Sequence, residues 1–370
     1  MTFASLCRSP SSRLSFRAAG RGVRLPAMTR PGKRNLLTDV DGLTVGQAED
    51  HAARSGVTII LADRPVAAAV DVRGGAPGTI GTDALDPVSL VGTVDAIALS
   101  GGSSYGLDAA GGVMAWLGAR GRGFRFAPDV PAAPIAPGAI IFDLANGGDK
   151  NWGADPPYRR LALAAVERAA PEFSLGNAGA GLGAIAGAYK GGTGSASLMT
   201  EEGFTVGALA IVNAVGSPII PCTDVFWAFP FEQGKEFGGR RLNPGFAPVA
   251  PALPPDVKQP ARPGANTTVA VVATDADLTR VELKRLAIMA ADGFARALRP
   301  VHTPFDGDTV FALSTAKRPV GEPRPYVVTQ LGNAAADCVA RAIARGVYEA
   351  ETLGEWRSYR DCFAQGKDSR

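Results

Sequence analysis

Histidine is almost absent from this chain: among 370 residues only His51 and His302 carry an imidazole. Zinc sites of the HExxH and Cys2His2 kinds are thereby excluded, and any serine–histidine mechanism must use one of these two rings. Cysteine is nearly as scarce. Cys7, Cys222, Cys338 and Cys362 are scattered with no CxxC pair. They fit small buried hydrophobes in a reduced, cytoplasmic setting better than a disulfide framework. No run of about 18 uninterrupted apolar residues occurs, so no membrane span is expected. The net charge of +3 is small, and no basic stripe with interleaved aromatics accompanies it, so nucleic acid is not an expected partner. A Walker A sequence is missing too. The glycines of Gly179–Ala184 lack dinucleotide-fingerprint spacing, which sets nucleotide cofactors aside.

What the chain does have is glycine and proline, 46 and 28 residues, without a G-X-Y period. Many tight turns and close backbone approaches follow from that. Hydrophobic residues at 46% and charged residues at 20% are the profile of a soluble globular protein, built as one large domain or two joined ones. Residues 1–34 stand apart, with Arg8, Arg13, Arg17, Arg21, Arg24, Arg30, Lys33 and Arg34 and no acid. This stretch reads as a disordered or mis-assigned extension, with Met28 as the initiator, although its composition also resembles a transit peptide. Ordered sequence is expected from Asn35, and a C-terminal tail from 351 to 370.

Apolar β-branched runs predict strands at Val57–Leu61, Ala67–Val72, Val94–Leu99, Gly138–Leu144, Phe204–Val215, Thr267–Thr274 and Asp308–Ser314. Helical periodicity follows Leu107, covers Leu161–Ala170, and runs over Asn333–Glu349. Thr279-Arg280-Val281-Glu282 is a capping box that opens another helix. Strands and helices alternate, but clean βαβ spacing fails in the middle. The expectation is a layered α/β protein with mixed strands, not a Rossmann fold.

Three segments could carry chemistry. In the first, six prolines between Pro248 and Pro263 form an extended arm that leads into Asn266-Thr267-Thr268. A threonine hydroxyl whose own α-amine is free is a self-contained nucleophile and base, and it needs no histidine. Freeing that amine requires Thr267 to attack the carbonyl of Asn266 and the resulting ester to hydrolyse. Against this, threonine is a common strand starter. The second segment is Asp306-Gly307-Asp308, whose carboxylates at i and i+2 share a side if extended and could orient an ammonium and a hydroxyl. It also reads as a solvated turn. The third, Gly102-Ser103-Ser104-Tyr105-Gly106, matches G-x-S-x-G between a strand and a helix. It offers Ser104 with His302 as an α/β-hydrolase pair, or else a tight turn of Ser103, Ser104 and Tyr105 lining a substrate pocket.

Taken in order, these segments and four others resemble the P1 peptidase family, the DmpA-like N-terminal-nucleophile hydrolases. That group takes in L-aminopeptidase/D-esterases, β-peptidyl aminopeptidases and nylon-oligomer endohydrolases. The landmarks are Val70–Gly75, Gly101–Asp108, Gly179–Gly181, Asn213–Gly216, Asn266–Thr268 and Asp306–Thr309, spread over residues 35 to 350. The resemblance implies an αββα-type fold, autocleavage at 266/267 into a large and a small subunit, and a homo-oligomer, often a tetramer. It implies hydrolysis of a small-molecule amide or short peptide without metal or organic cofactor. It makes Thr267 the nucleophile, Asn213 the oxyanion donor, Lys190 a lysine near the nucleophile, and Asp306 and Asp308 the pair orienting the terminal threonine. A less favoured relative is the acyltransferase type represented by ornithine acetyltransferase.

Two departures bear on substrate. Threonine with Asp-x-Asp is the pattern of the nylon-oligomer hydrolases, where many aminopeptidase members have serine with Ser-x-Glu. Members also often carry a tyrosine near the oxyanion where this chain has Phe142. Losing one such donor costs on the order of a hundredfold in rate.

Overall fold

The computed structural model describes residues 29–246, 253–258 and 266–364. The residues beyond these limits include 1–28, Gly264, Ala265 and most of the proline-rich arm, so the expectations for those segments lie outside the described residues.

Eleven strands and six α-helices, with five short 3-10 helices between them, make up the described chain. In order they are β1 (Leu43–Asp50), β2 (Ser55–Val72), β3 (Thr79–Ile80), β4 (Thr93–Ser100), α1 (Asp108–Gly118), β5 (Gly138–Ile140) and α2 (Tyr158–Glu167). There follow β6 (Ile185–Ala186), β7 (Tyr189–Lys190), β8 (Thr193–Met199), β9 (Thr205–Asn213) and β10 (Thr267–Ala276). The chain closes with α3 (Arg280–Ala290), α4 (Asp292–Ala297), β11 (Thr309–Arg318), α5 (Arg324–Tyr348) and α6 (Tyr359–Phe363).

Nine strands share one mixed sheet, ordered β3-β5-β4-β2-β11-β10-β9-β8, with β1 beside β2. Only β10/β11 and β4/β5 are parallel. The pivot is β2, where two expected strands are one. Its first half pairs with β1 and its second half with β11, while β4 runs along both, its register shifting between Leu61 and Val66. Asp63-Arg64-Pro65 is exposed at that irregularity, where a proline costs no ladder hydrogen bond.

Alternation along each strand divides the core into layers. Ile60, Ile97 and Leu99 meet Leu209, Ile211, Val269, Val271 and Phe311 in an inner cluster between the two halves of the sheet. The opposite faces are covered separately. Val57, Ile59 and Ala98 pack under α1 and α2, while Ala208, Ala210, Ala270 and Val272 pack under α3, α4 and α5. The order helix, sheet, sheet, helix is the αββα arrangement.

Several boundaries differ from expectation. The Gly138–Leu144 strand is cut to β5, and the final helix begins at Arg324, nine residues before Asn333. The presumed tail is packed as far as Phe363, since Tyr359 is buried and donates its hydroxyl to the Asp224 carbonyl at 2.6 Å. At the other end Arg30 bridges to Met199 and the Gly32 N–H donates to Ser197 Oγ at 3.1 Å, so ordered chain precedes Asn35.

Candidate active site

The inner face of the sheet sets the centre. Val269 and Val271 point into the inner cluster, and Thr267 follows by the two-residue period. On the neighbouring strand Leu209 and Ile211 do the same, which brings Asn213 inward directly opposite Thr267 in the antiparallel register. Thr267 is 1% exposed and Asn266 fully buried.

Around the Asn266–Thr267 bond the contacts are specific. Thr267 Oγ lies against the Asn266 carbonyl oxygen. That same oxygen accepts the Gly307 N–H at 3.0 Å. Asn266 also bridges Asp306 in parallel fashion, which lays the Asp-Gly-Asp segment alongside the junction. A Cβ on Gly307 would stand 2.7 Å from Thr267 Oγ and 2.7 Å from the Ala76 carbonyl oxygen, so glycine is required there. The side-chain amide of Asn266 is buried with no hydrogen-bond partner among the described residues.

The two aspartates hold the backbone on either side. Asp306 accepts from the N–H of Val215 at 3.1 Å and from the Thr303 N–H at 3.2 Å and hydroxyl at 2.5 Å. Asp308 accepts from the Thr268 N–H at 2.8 Å and from the N–H and Nδ1 of His302 at 3.0 and 2.8 Å. Burial, and then the charge of Asp308, push the Asp306 carboxyl above the ordinary aspartate range. Both side chains thus brace the segments that carry Thr267 and Asn213, and neither makes a hydrogen bond to Thr267 Oγ.

Asn213 is orientated by three partners. Its Oδ1 accepts from the Ile185 N–H at 3.0 Å and from Lys258 Nζ at 3.2 Å, while Nδ2 donates to the Phe142 carbonyl at 3.0 Å. Phe142 therefore reaches the site through its backbone. Lys190 lies one layer behind. Its Nζ donates to the carbonyls of Gly181, Ala184 and Gly191 at 3.1, 2.9 and 2.7 Å, and burial, partly offset by Asp143, draws its pKa down to about 7. It braces the turn that presents Ile185 to Asn213; its Nζ makes no hydrogen bond to Thr267 among the described residues.

The Ser103–Tyr105 turn follows β4, its Ser103 N–H bonded to the Ile141 carbonyl next to Phe142. The α/β-hydrolase alternative fails here. Among the described residues no hydrogen bond joins Ser104 to either histidine. The mixed two-layered sheet is also not that fold's parallel one. Sequence reasoning missed Gly307, because its contribution is a backbone N–H. It also missed Lys258, which the proline-rich composition assigned to a linker.

The profile of Peptidase family S58 matches residues 35–359. The chain belongs to this family. A protein of Mycobacterium bovis described as an uncharacterised aminopeptidase is 43% identical over 351 residues, covering 89% of this chain and 98% of that protein. The 6-aminohexanoate-oligomer endohydrolase of Kocuria sp. is 31% identical over 292 residues, covering 77% and 76%. Among solved structures, the L-aminopeptidase D-Ala-esterase/amidase of Ochrobactrum anthropi superposes with a TM-score of 0.65. It has 24% identity and covers 89% of this chain and 90% of that one, and its structure is described as a variant of the Ntn hydrolase fold. The DmpA-like resemblance seen in the sequence is carried by S58, for which the P1 grouping is a coarser name. An S58 chain with this fold is an amide-bond hydrolase. Among its described residues no helix is long and apolar enough to cross a membrane.

Proposed function

We propose that this chain cuts itself between Asn266 and Thr267 and that Thr267, as a new N-terminus, hydrolyses the amide bonds of small amino-acid amides or short peptides. The observation that carries the reading is the pairing at one carbonyl: Thr267 Oγ against Asn266, with the Gly307 N–H 3.0 Å from the oxygen. Attack of Oγ on the Asn266 carbon forms a C–O bond and puts negative charge on an oxygen that already has a donor. The hydroxyl proton passes to the Thr267 nitrogen as the C–N bond breaks, and water hydrolyses the ester. The products are the Asn266 carboxylate and a free threonine amine.

In the cut protein the α-amine of Thr267, with an ordinary pKa of about 7.7–8.0, takes the hydroxyl proton and returns it to the leaving amine. A substrate carbonyl occupies the place of Asn266, with the Gly307 N–H and the second N–H of Asn213 Nδ2 as donors. The cut chains assemble as a homo-oligomer, most simply a tetramer.

A second reading, ω-amide endo-hydrolysis, is favoured by the Thr with Asp-x-Asp pattern and by the likeness to the Kocuria endohydrolase. A denaturing gel and mass spectrometry of purified protein test the common chemistry. Two fragments are expected, the smaller starting at Thr267. Thr267→Ala should leave one uncut, inactive chain, and Thr267→Ser should still cut. A wild-type chain that stays whole, or is cut elsewhere, sinks the proposal. p-Nitroanilides, short peptide amides and 6-aminohexanoate oligomers separate the two readings, and light scattering reads the oligomer.

A further inference from the structure

Lys258 belongs to the arm upstream of the cut, in the described segment 253–258. Three contacts fasten that segment to the site. The Lys258 N–H donates to the Val215 carbonyl at 2.9 Å, the Ala188 N–H donates to the Asp256 carbonyl at 2.8 Å, and the Asp256 carboxylate takes the Ser217 hydroxyl. Val257 between them is buried. None of these contacts involves the scissile bond, so all of them survive its cleavage.

The lysine as a whole is half-buried, but its ammonium is enclosed, and its Nζ meets Asn213 Oδ1 at 3.2 Å. An asparagine amide offers an acceptor on one side and two donors on the other, and its neighbours choose the flip. Here Oδ1 faces two donors, Ile185 N–H and Lys258 Nζ, while Nδ2 faces the Phe142 carbonyl. A flipped amide would turn N–H groups on a backbone N–H and an ammonium. An ammonium on Oδ1 also polarises the amide and strengthens Nδ2 as a donor. Asp306 is the charge opposed to this ammonium, and burial of the lysine draws its pKa down to about 7.

We infer that Lys258 is a positioning residue which sets the orientation and donor strength of the Asn213 amide, so that the arm upstream of the cut remains a working part of the mature site. This deepens the proposed function and rests on it. Lys258→Met removes the donor and keeps the length of the stem. It should slow self-cleavage by about tenfold or more, the value of a hydrogen bond to a charged group. It should lower kcat on a p-nitroanilide by a similar factor while KM holds within about twofold, because the amide acts on the transition state. Lys258→Arg keeps a cationic N–H donor and should restore both rates to within about threefold.

Cleavage half-times, kcat and KM are read beside the Tm of each variant. A Met variant as fast as wild type overturns the inference. So does an Arg variant as slow as Met, or a Met variant that does not fold, since each makes the residue dispensable or merely structural. If the wild-type chain never cuts at 266/267, this inference and the proposed function fail together; if it cuts and Lys258→Met cuts equally fast, only the lysine inference fails.

Discussion

Gly307 concentrates two demands on one residue. Its N–H holds the Asn266 oxygen, and its missing side chain leaves room for the Thr267 hydroxyl. Gly307→Ala places a methyl 2.7 Å from Thr267 Oγ, closer than any real Cβ contact, and the nearest other neighbour is rigid backbone at Ala76. The chain must shift, and the donor shifts with it. Loss of an oxyanion donor costs roughly a hundred- to a thousandfold in rate, so under the proposed self-cleavage Gly307→Ala should accumulate as uncut chain while the wild type is cut. A gel time course checks this, and an Ala variant that cuts at the wild-type rate would show that the N–H is not used. At this scale the sequence exposes side chains and hides backbone. Thr267, Asn213, Asp306 and Asp308 were legible as motif residues, and they do converge. The Gly307 N–H was not legible, nor was the use of Phe142 through its carbonyl, because no side-chain type encodes either.

Elements were legible where the local code is strong. The Thr279 capping box is one such case: its hydroxyl accepts the Glu282 N–H at 3.3 Å, and Glu282 Oε2 accepts the Thr279 N–H at 2.8 Å. Arg324, at the start of α5, then grips both Glu282 oxygens at 2.8 and 2.6 Å. The cap therefore joins two helices of the outer layer, and the Arg324 hydrogen bonds, opposed by burial and helped by those from Thr279, bring the Glu282 pKa to about 2. Thr279→Ala should cost about 1 kcal/mol, the usual value of an N-cap. In a chain of this length that lowers Tm by at most about 2 °C, with self-cleavage unchanged because α3 lies on the far face of the sheet. Calorimetry on the uncut Thr267→Ala background checks the first part and a gel the second. Where a tertiary contact overrides the local code, the sequence misleads. The helix read over Asn333–Glu349 begins at Arg324 instead, so Gly332 sits inside α5, packed against the Met289 side chain. Pro65 likewise splits β2 in sequence but not in space.

The whole molecule is held at one buried charge. Arg341 of α5 is fully buried. It donates to Glu236 at 2.6 and 2.9 Å, to the Ser197 carbonyl at 2.9 Å, and to Asn35 Oδ1 at 2.8 Å. One guanidinium thus ties the outer helix, strand β8, the 232–241 loop and the N-terminal entry of the fold, four places far apart in sequence that no motif connects. Burial alone would raise the Glu236 carboxyl, but the hydrogen bonds and charge of Arg341 outweigh it and hold its pKa below the ordinary value of 4.5. A depressed folded-state pKa contributes stability that is present above the unfolded value and is lost as pH falls through the folded one. Between pH 7 and 5 this pair should therefore leave the stability of the wild-type fold unchanged. Arg341→Leu removes the bidentate partner and leaves the carboxylate with Arg345, whose Nε stands 3.7 Å away, and with the donors of Asn35 and Gln233, so it should cost up to about 3–5 kcal/mol at pH 7. Without Arg341 less offsets burial, so the Glu236 pKa moves up from its wild-type position, and the stability deficit of the variant should shrink as pH falls from 7 toward 5. Adding Glu236→Leu should recover most of the loss, because two apolar residues can replace a buried pair at little cost. Thermal unfolding of the three chains at pH 5 and 7, all on the Thr267→Ala background so that a single uncut species melts, decides the matter. If the deficit of Arg341→Leu is the same at both pH values, the loss is one of packing at α5 and not of charge at Glu236.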